Sequence, residues 1–378
     1  MNDKASDWKA IVVFPNFRLR QPIDADFAAI VPVEDERIVQ LRSTDKNFNL
    51  FLSRFTDTFG RAIHPSVMLV RKDGAEAFTH SDAVSSLRDV IALSVVPFNL
   101  ALGLNDSDSS RTVWSDYFFI FPWSIAKNDP DGLIGHTPAL LGLDATEDFH
   151  GQSTPSLFPQ VIEEHHFDRP LRSCLLRRWR DHYSGTNTEW SEVALFRALN
   201  MAFNASTQPG GTEITYLDVG RQIALWVSAF EILIHPGADG KADFMKVYEL
   251  LKGVEWSRQK SVAATHACYS KPSEPIVSIN ACWLYGHLYK TRNNFLHGNP
   301  VTIENLKLPN GRPLYNFAAP LFRAALSAFL PLTFSLPEPD PSNTQEYEHY
   351  LAACMRYNGP RHEIEEALLR AQSPPDGR

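Results

Sequence analysis

The feature that most constrains this chain is an apolar stripe at helical spacing that an arginine interrupts. Ala281, Leu284, Tyr285 and Leu288 fall at i, i+3, i+4 and i+7, and the stripe resumes at Phe295. Arg292 lies four residues after Leu288 and three before Phe295, so the spacing predicts a long amphipathic helix from about Ile276 with a guanidinium at a core-facing position. A buried cation is costly unless paired. Arg292 therefore requires a carboxylate, a partner subunit or an anionic ligand such as phosphate. Gly298 and Pro300 mark the helix stop. His297 is the last residue before it, at the negative end of the helix dipole, a setting that suits a proton-transfer group. Asn293, four residues earlier, shares its face and can orient the ring. On an ideal helix Arg292 and His297 are about 140° apart, so they converge only if the last turn distorts or a second molecule contributes.

The rest of the second half has the same helical character. One helix is expected over about Ser191 to Ala205 and another over Asp218 to Ile234, where Ile223, Trp226, Val227, Phe230, Leu233 and Ile234 make a continuous apolar face. Pro236-Gly237 and Asp239-Gly240 stop it. A short helix from Phe244 to Leu251 follows, then a polar connection, the Arg292 helix and a last helix around Leu314 to Leu330. Packed antiparallel, such helices give a bundle with a hydrophobic centre.

The first half reads as mixed α and β. Ile11 to Phe14, Ile38 to Leu41, Val67 to Val70 and Tyr117 to Phe121 are β-prone runs bounded by Pro, Asp or Gly. Phe48, Phe51, Leu52, Phe55 and Phe59 follow helical spacing after a Ser43-Thr44-Asp45 start, and a second helix is predicted from Ser81 to about Val96. Residues 128–160 carry loop chemistry, as in Asp129-Pro130-Asp131-Gly132 and Gly142-Leu143-Asp144. A helix from about Arg169 to Tyr183 leads to Ser184-Gly185-Thr186-Asn187, a boundary. The chain is thus expected to be α+β overall: a mixed α/β domain over 1–185 with a sensor or regulatory role, an all-α helical bundle over 186–335, and a Pro-rich polar tail over 336–378 with a short loose helix at Glu363 to Arg370.

At 378 residues the chain is too long for one core, and 44% hydrophobic with 21% charged residues is a globular composition. A net charge of -8 supplies no global attraction to nucleic acid, so any RNA-binding surface must be local or formed by association. The first residues hold no apolar signal core, and the longest greasy run, Ile91 to Leu104, contains Pro97 and Asn99 and is too short to span a bilayer. A cytoplasmic protein without a membrane partner is expected. Cys174, Cys268, Cys282 and Cys354 are scattered and read as free thiols.

Two segments together carry a family likeness: Ala224-Leu225-Trp226-Val227-Ser228-Ala229-Phe230-Glu231 on one helix and Arg292-Asn293-Asn294-Phe295-Leu296-His297-Gly298 on a later one. Over about residues 189–333 the pairing resembles the HEPN superfamily, in particular its ApeA-like group. The family motif is Arg, a polar residue, three variable positions and His, and those elements fall on Arg292, Asn293 and His297. The resemblance implies a metal-independent endoribonuclease without a cofactor, of a kind found in toxin-antitoxin and antiviral defence systems, with an antitoxin or trigger molecule as a further partner. It also implies a homodimer whose two motifs line one cleft. Arg292, His297 and Asn293 are then catalytic, supported by Glu231, Tyr289 and Asn294. Many relatives bind rather than cleave, so the alternative is a non-catalytic dimerisation or RNA-binding module.

The chemistry suits RNA, which carries its own nucleophile in the 2′-hydroxyl. A histidine to move a proton and an arginine to steady charge on phosphorus suffice, giving a 2′,3′-cyclic phosphate and a free 5′-hydroxyl. Glu231 reads either as the counter-ion of Arg292 or as a solvent-facing acid. Tyr289 either stacks a base or packs. Arg177 and His182 repeat the Arg-x4-His spacing in the basic stretch Arg177 to His182, where solvated charges are ordinary, and the basic helix around Arg172 to Arg180, with Trp179 interleaved, either feeds RNA towards the bundle or is a solvated interdomain helix. Glu163-Glu164-His165-His166-Phe167-Asp168 holds metal-capable side chains without a second cluster at a defined spacing, and no metal site is assigned there. No phosphate-binding Gly-x4-Gly-Lys loop and no Gly-x-Ser-x-Gly elbow occur.

Overall fold

The structure, a computed structural model, describes residues 7–56, 60–106, 114–130, 161–186, 189–208, 215–238, 240–263, 265–271 and 273–373. In chain order the elements begin with strands β1 (Trp8–Phe14), β2 (Arg18–Leu19), β3 (Ile23–Ala25) and β4 (Ala28–Pro32) and helices α1 (Glu36–Thr44) and α2 (Lys46–Ser53). Next come β5 (Ser66–Arg71), α3 (Ser81–Leu93), α4 (Val96–Asn105), β6 (Phe121–Pro122), α5 (Trp123–Ala126), β7 (Val161–Ile162) and α6 (Arg169–Tyr183). The second half holds α7 (Trp190–Ser206), α8 (Tyr216–Leu233), α9 (Phe244–Lys252), α10 (Gln259–Ala263), β8 (Thr265–Cys268) and β9 (Ile276–Ile279). It closes with α11 (Asn280–Leu296), α12 (Ala318–Phe329) and α13 (Thr344–Leu369), which completes an α+β fold. Contacts divide the chain into a unit of residues 1–88, 112–165 and 179–187 and a second of 89–111, 166–178 and 188–378.

The first unit is built on an antiparallel sheet of order β3-β4-β5-β1-β6. Buried Val13, Val31, Val67 and Leu69 from its strands meet Phe48, Phe51 and Leu52 of α2 together with Phe55 and Trp123. Asp45 starts α2 by accepting from the Phe48 amide at 3.0 Å, as its position predicts. The helix ends at Ser53, before Phe55, while Phe59 and the loop residues 131–160 lie outside the described residues. Two expected strands are corrected. Ile38 to Leu41 is helical because Asp35 caps α1 through the Arg37 amide, and only Ile38 of that helix is buried. Tyr117 and Phe118 are buried in a 3-10 turn, so pairing with β1 is left to Phe121 and Pro122. Trp179 is also buried, its indole N–H donating to the Ala83 carbonyl at 2.9 Å, and Arg180 pairs with Asp26. Trp179 is therefore no base-stacking platform, while Arg177 on the same helix stays exposed.

The second unit is a helical bundle in which α7 packs on α8, α8 on α11, and α4 on both α12 and α13. The predicted helices fall where the apolar spacing places them, with two corrections. The segment 276–279 is the strand β9, paired antiparallel with β8, so α11 begins at Asn280. The tail carries a 26-residue helix rather than a short one, because Asn358-Gly359-Pro360, which reads as a break, is absorbed inside α13 with Pro360 buried. Ile364, Ala367 and Leu368 are buried there, and Glu365 accepts the Ser257 and Arg258 amides at 2.7 and 2.9 Å. The apolar run around α3 and α4 is also longer than expected. Ser81–Asn105 has the length and hydropathy to cross a membrane, but 72% of its apolar window is buried inside the protein.

Candidate functional site

Helices α8 and α11 run antiparallel. Gly220 near the start of α8 meets Phe295 near the end of α11, and the ring of Phe230 near the end of α8 packs, tilted by 59°, at 5.1 Å from that of Tyr285 in the first half of α11. The approach at Gly220 is close. A Cβ there would stand 2.5 Å from the Phe295 ring, so only glycine lets the last turn of α11 sit this near. Ala281, Leu284, Tyr285 and Leu288 are buried as their spacing predicts. Past Leu288, however, the inward position belongs to Thr291, whose hydroxyl donates to the Asn305 carbonyl at 3.2 Å. Arg292 stands at the rim, with 22% of its side chain exposed. This corrects the expectation of a core-facing guanidinium.

Three groups hold Arg292. Its Nη2 lies 3.0 Å from Glu231 Oε2, its Nη1 donates to Asn293 Oδ1 at 3.0 Å, and its guanidinium carbon lies 5.7 Å from the centre of the Tyr289 ring. Glu231 is therefore the counter-ion, not a solvent-facing acid. Burial pushes the Glu231 carboxyl above its usual range, while the charge of Arg292 pulls it back. Arg292 Nε and the Tyr285 hydroxyl are buried without a hydrogen-bond partner. The Tyr285 phenol is pushed well up, chiefly by burial and then by Glu231. The site thus combines a neutralised cation with spare donors.

His297 caps α11, its backbone N–H donating to the Asn293 carbonyl at 3.0 Å, and Gly298 turns the chain away at φ +71°. The imidazole is exposed and makes no hydrogen bond or ion pair with another described residue. Asn293 does not orient it, since the amide oxygen is turned to Arg292. Asn294 closes the helix end, its side-chain oxygen 3.3 Å from Asn299 Nδ2 and its carbonyl accepting the Asn299 amide. Within one chain, then, the structure brings together Arg292, Glu231, Asn293 and Tyr289 and leaves His297 apart from them. Tyr289 packs, with its ring 5.4 Å from Phe244, 5.3 Å from Tyr269 and 6.1 Å from Tyr285.

Sequence reasoning missed two features beside the site. Tyr216, Leu217, Leu296 and Ile303 are exposed apolar residues at this end of the bundle, where the start of α8 and the Ile303–Leu306 turn meet. Isolated in the sequence, they become a group only through folding. Arg323 is the second, 4% exposed and 2.5 Å from Asp168, which is 1% exposed. Its signal was present: an arginine inside the apolar run of α12, the same misfit that marks Arg292. Asp168 also accepts the Leu171 amide at the start of α6, so the stretch 163–168 is committed at both ends, with Glu163 paired to Arg20 at 2.8 Å. Of the second Arg-x4-His pair, Arg177 is exposed, and the His182 ring packs edge-on to Tyr183 at 4.8 Å. Among the described residues no group of three or more His, Cys, Asp or Glu is placed to hold a metal ion. No family model, curated protein or solved structure matches this chain.

Proposed function

We propose that the second unit is a HEPN-type endoribonuclease that cleaves RNA without a metal, by attack of the 2′-hydroxyl on the adjacent phosphorus. The observation that carries this reading is a rim arginine, Arg292, held ready by Glu231 and Asn293 five residues before an open histidine. Incoming phosphate oxygens replace Glu231 on the guanidinium fork, which steadies the extra negative charge on phosphorus. One imidazole takes the 2′-hydroxyl proton as the O–P bond forms, and a protonated imidazole gives a proton to the departing 5′-oxygen. His297 serves as both in turn, handing the proton it takes from the 2′-hydroxyl to the 5′-oxygen, and the two-fold partner brings it to Arg292. The exposed Leu296, Ile303, Tyr216 and Leu217 give a second copy an apolar surface to cover beside His297.

One observation favours a second reading, a non-catalytic dimerisation or RNA-binding module: Arg292 is already neutralised and does not meet His297 within one chain. Digestion of mixed RNAs in EDTA separates the two. Under the nuclease reading the wild type leaves 2′,3′-cyclic phosphate ends, and Arg292→Ala and His297→Ala abolish them with the dimer and the thermal transition retained. RNA that survives the wild type, or products that persist in His297→Ala, would exclude it.

A further inference from the structure

A second site lies elsewhere in the same unit. Where the first half of α6 faces the segment 330–336 and α13, a groove of about 620 Å³ opens to solvent, within the range of small-molecule pockets. Arg169, Arg177 and Arg356 line it, and no acidic side chain does. In a chain of net charge -8 such a gathering of one sign is not expected by composition. Arg177 approaches only the Cys174 sulfur, at 3.8 Å, and Arg356 uses only its Nε, on the Ala352 carbonyl at 3.1 Å. Neither has a carboxylate partner among the described residues. Both are exposed helix residues whose guanidinium forks are free for a phosphate.

The remaining walls are aromatic and aliphatic. Phe334 and Tyr357 lie 5.3 Å apart at 49°, flanked by Leu332 and Leu336, with the hydroxyls of Ser173 and Thr333 at the edge. Planar apolar surface next to two unpaired guanidinium groups suits a ligand that joins a flat ring to a phosphate. We infer that this groove binds a single nucleotide, phosphate on Arg177 and Arg356 and base against Phe334 and Tyr357. Its volume accommodates one nucleotide.

Titration of the full-length chain with adenosine 5′-monophosphate by calorimetry tests this. Saturable binding is expected, weakened about tenfold by either Arg177→Ala or Arg356→Ala and lost in the double variant. Ribose 5-phosphate, which lacks the ring, binds at least about tenfold more weakly. Binding is unaffected by His297→Ala, which keeps this site's outcome separate from that of the ribonuclease reading. No binding of the monophosphate, or binding unchanged in the double variant, overturns the proposal. So does capture of a 2′-O-methylated, 5′-phosphorylated oligoribonucleotide through these arginines while the mononucleotide is ignored, which would make the groove a track for a strand.

Discussion

Arg292 and Glu231 meet at 3.0 Å across the contact between α8 and α11, with only 22% and 19% of their side chains exposed. The cation that the nuclease reading assigns to phosphate is thus neutralised at rest. RNA must displace a carboxylate to reach it, and the strength of that competition depends on the protonation of Glu231.

The Glu231 carboxyl is raised above its ordinary 4.5, first by burial, with Arg292 opposing. A raised carboxyl favours the protonated folded form. Its contribution to stability is complete below pH 4.5 and is lost as pH rises through the raised folded-state value. Glu231→Gln should therefore flatten the dependence of the urea midpoint on pH across that window. At neutral pH the same variant should lower KM for RNA by about tenfold, since no carboxylate competes for the guanidinium. An unchanged KM would place the phosphate somewhere other than on Arg292.

The separation of Arg292 from His297 within one chain leads to a complementation test. If each active centre takes its arginine from one copy and its histidine from the other, Arg292→Ala and His297→Ala chains should rescue one another. Half of the randomly mixed dimers then carry one intact centre of two, so activity should return to about one quarter of wild type. Mixtures that stay inactive after subunit exchange, followed by mass spectrometry of the dimers, would show that both groups must come from the same chain.

The bundle was legible because its helices obey one period: Ile223, Trp226, Val227 and Phe230 point inward wherever the helix boundaries fall. Glu231 as partner of Arg292 was legible for the same reason, since it sits beside that face. What could not be read depends on distant residues. The strand β9 is rich in β-branched residues, yet only pairing with β8 distinguishes it from a first helical turn. Helix α13 runs through a Pro that local rules treat as a stop, because its buried last turns hold it. At the site, a shift of one residue moved the core position from Arg292 to Thr291, a difference set by packing against Asn305 and too fine for periodicity.

Arg323 and Asp168 form the most deeply buried ion pair, at 4% and 1% exposure, among the described residues. Asp168 also starts α6 through the Leu171 amide. Arg323→Met would leave that carboxylate buried and uncompensated, and should destabilise the unit by about 3–5 kcal/mol. Asp168→Asn in the same chain keeps the cap while removing the charge, and should recover part of the loss. Urea unfolding of the three proteins checks both steps. A single variant within about 0.5 kcal/mol of wild type would mean that water reaches the pair.

Gly220 connects packing to the candidate chemistry. Alanine there favours helix α8 by about 1 kcal/mol, but its Cβ would meet the Phe295 ring at 2.5 Å, and overpacking of this kind costs about 1–3 kcal/mol. Gly220→Ala should therefore lower stability by up to about 2 kcal/mol, and adding Phe295→Leu should restore it by clearing the ring. The same displacement moves the last turn of α11, which carries His297, while the Arg292 guanidinium, one turn before Phe295, stays tied to Glu231 on α8, eleven residues beyond Gly220. RNA cleavage should then fall mainly in kcat, with KM little changed, because phosphate contact depends on the arginine and proton transfer on the histidine. Equal loss in both constants would instead mean that the whole α8–α11 contact had shifted.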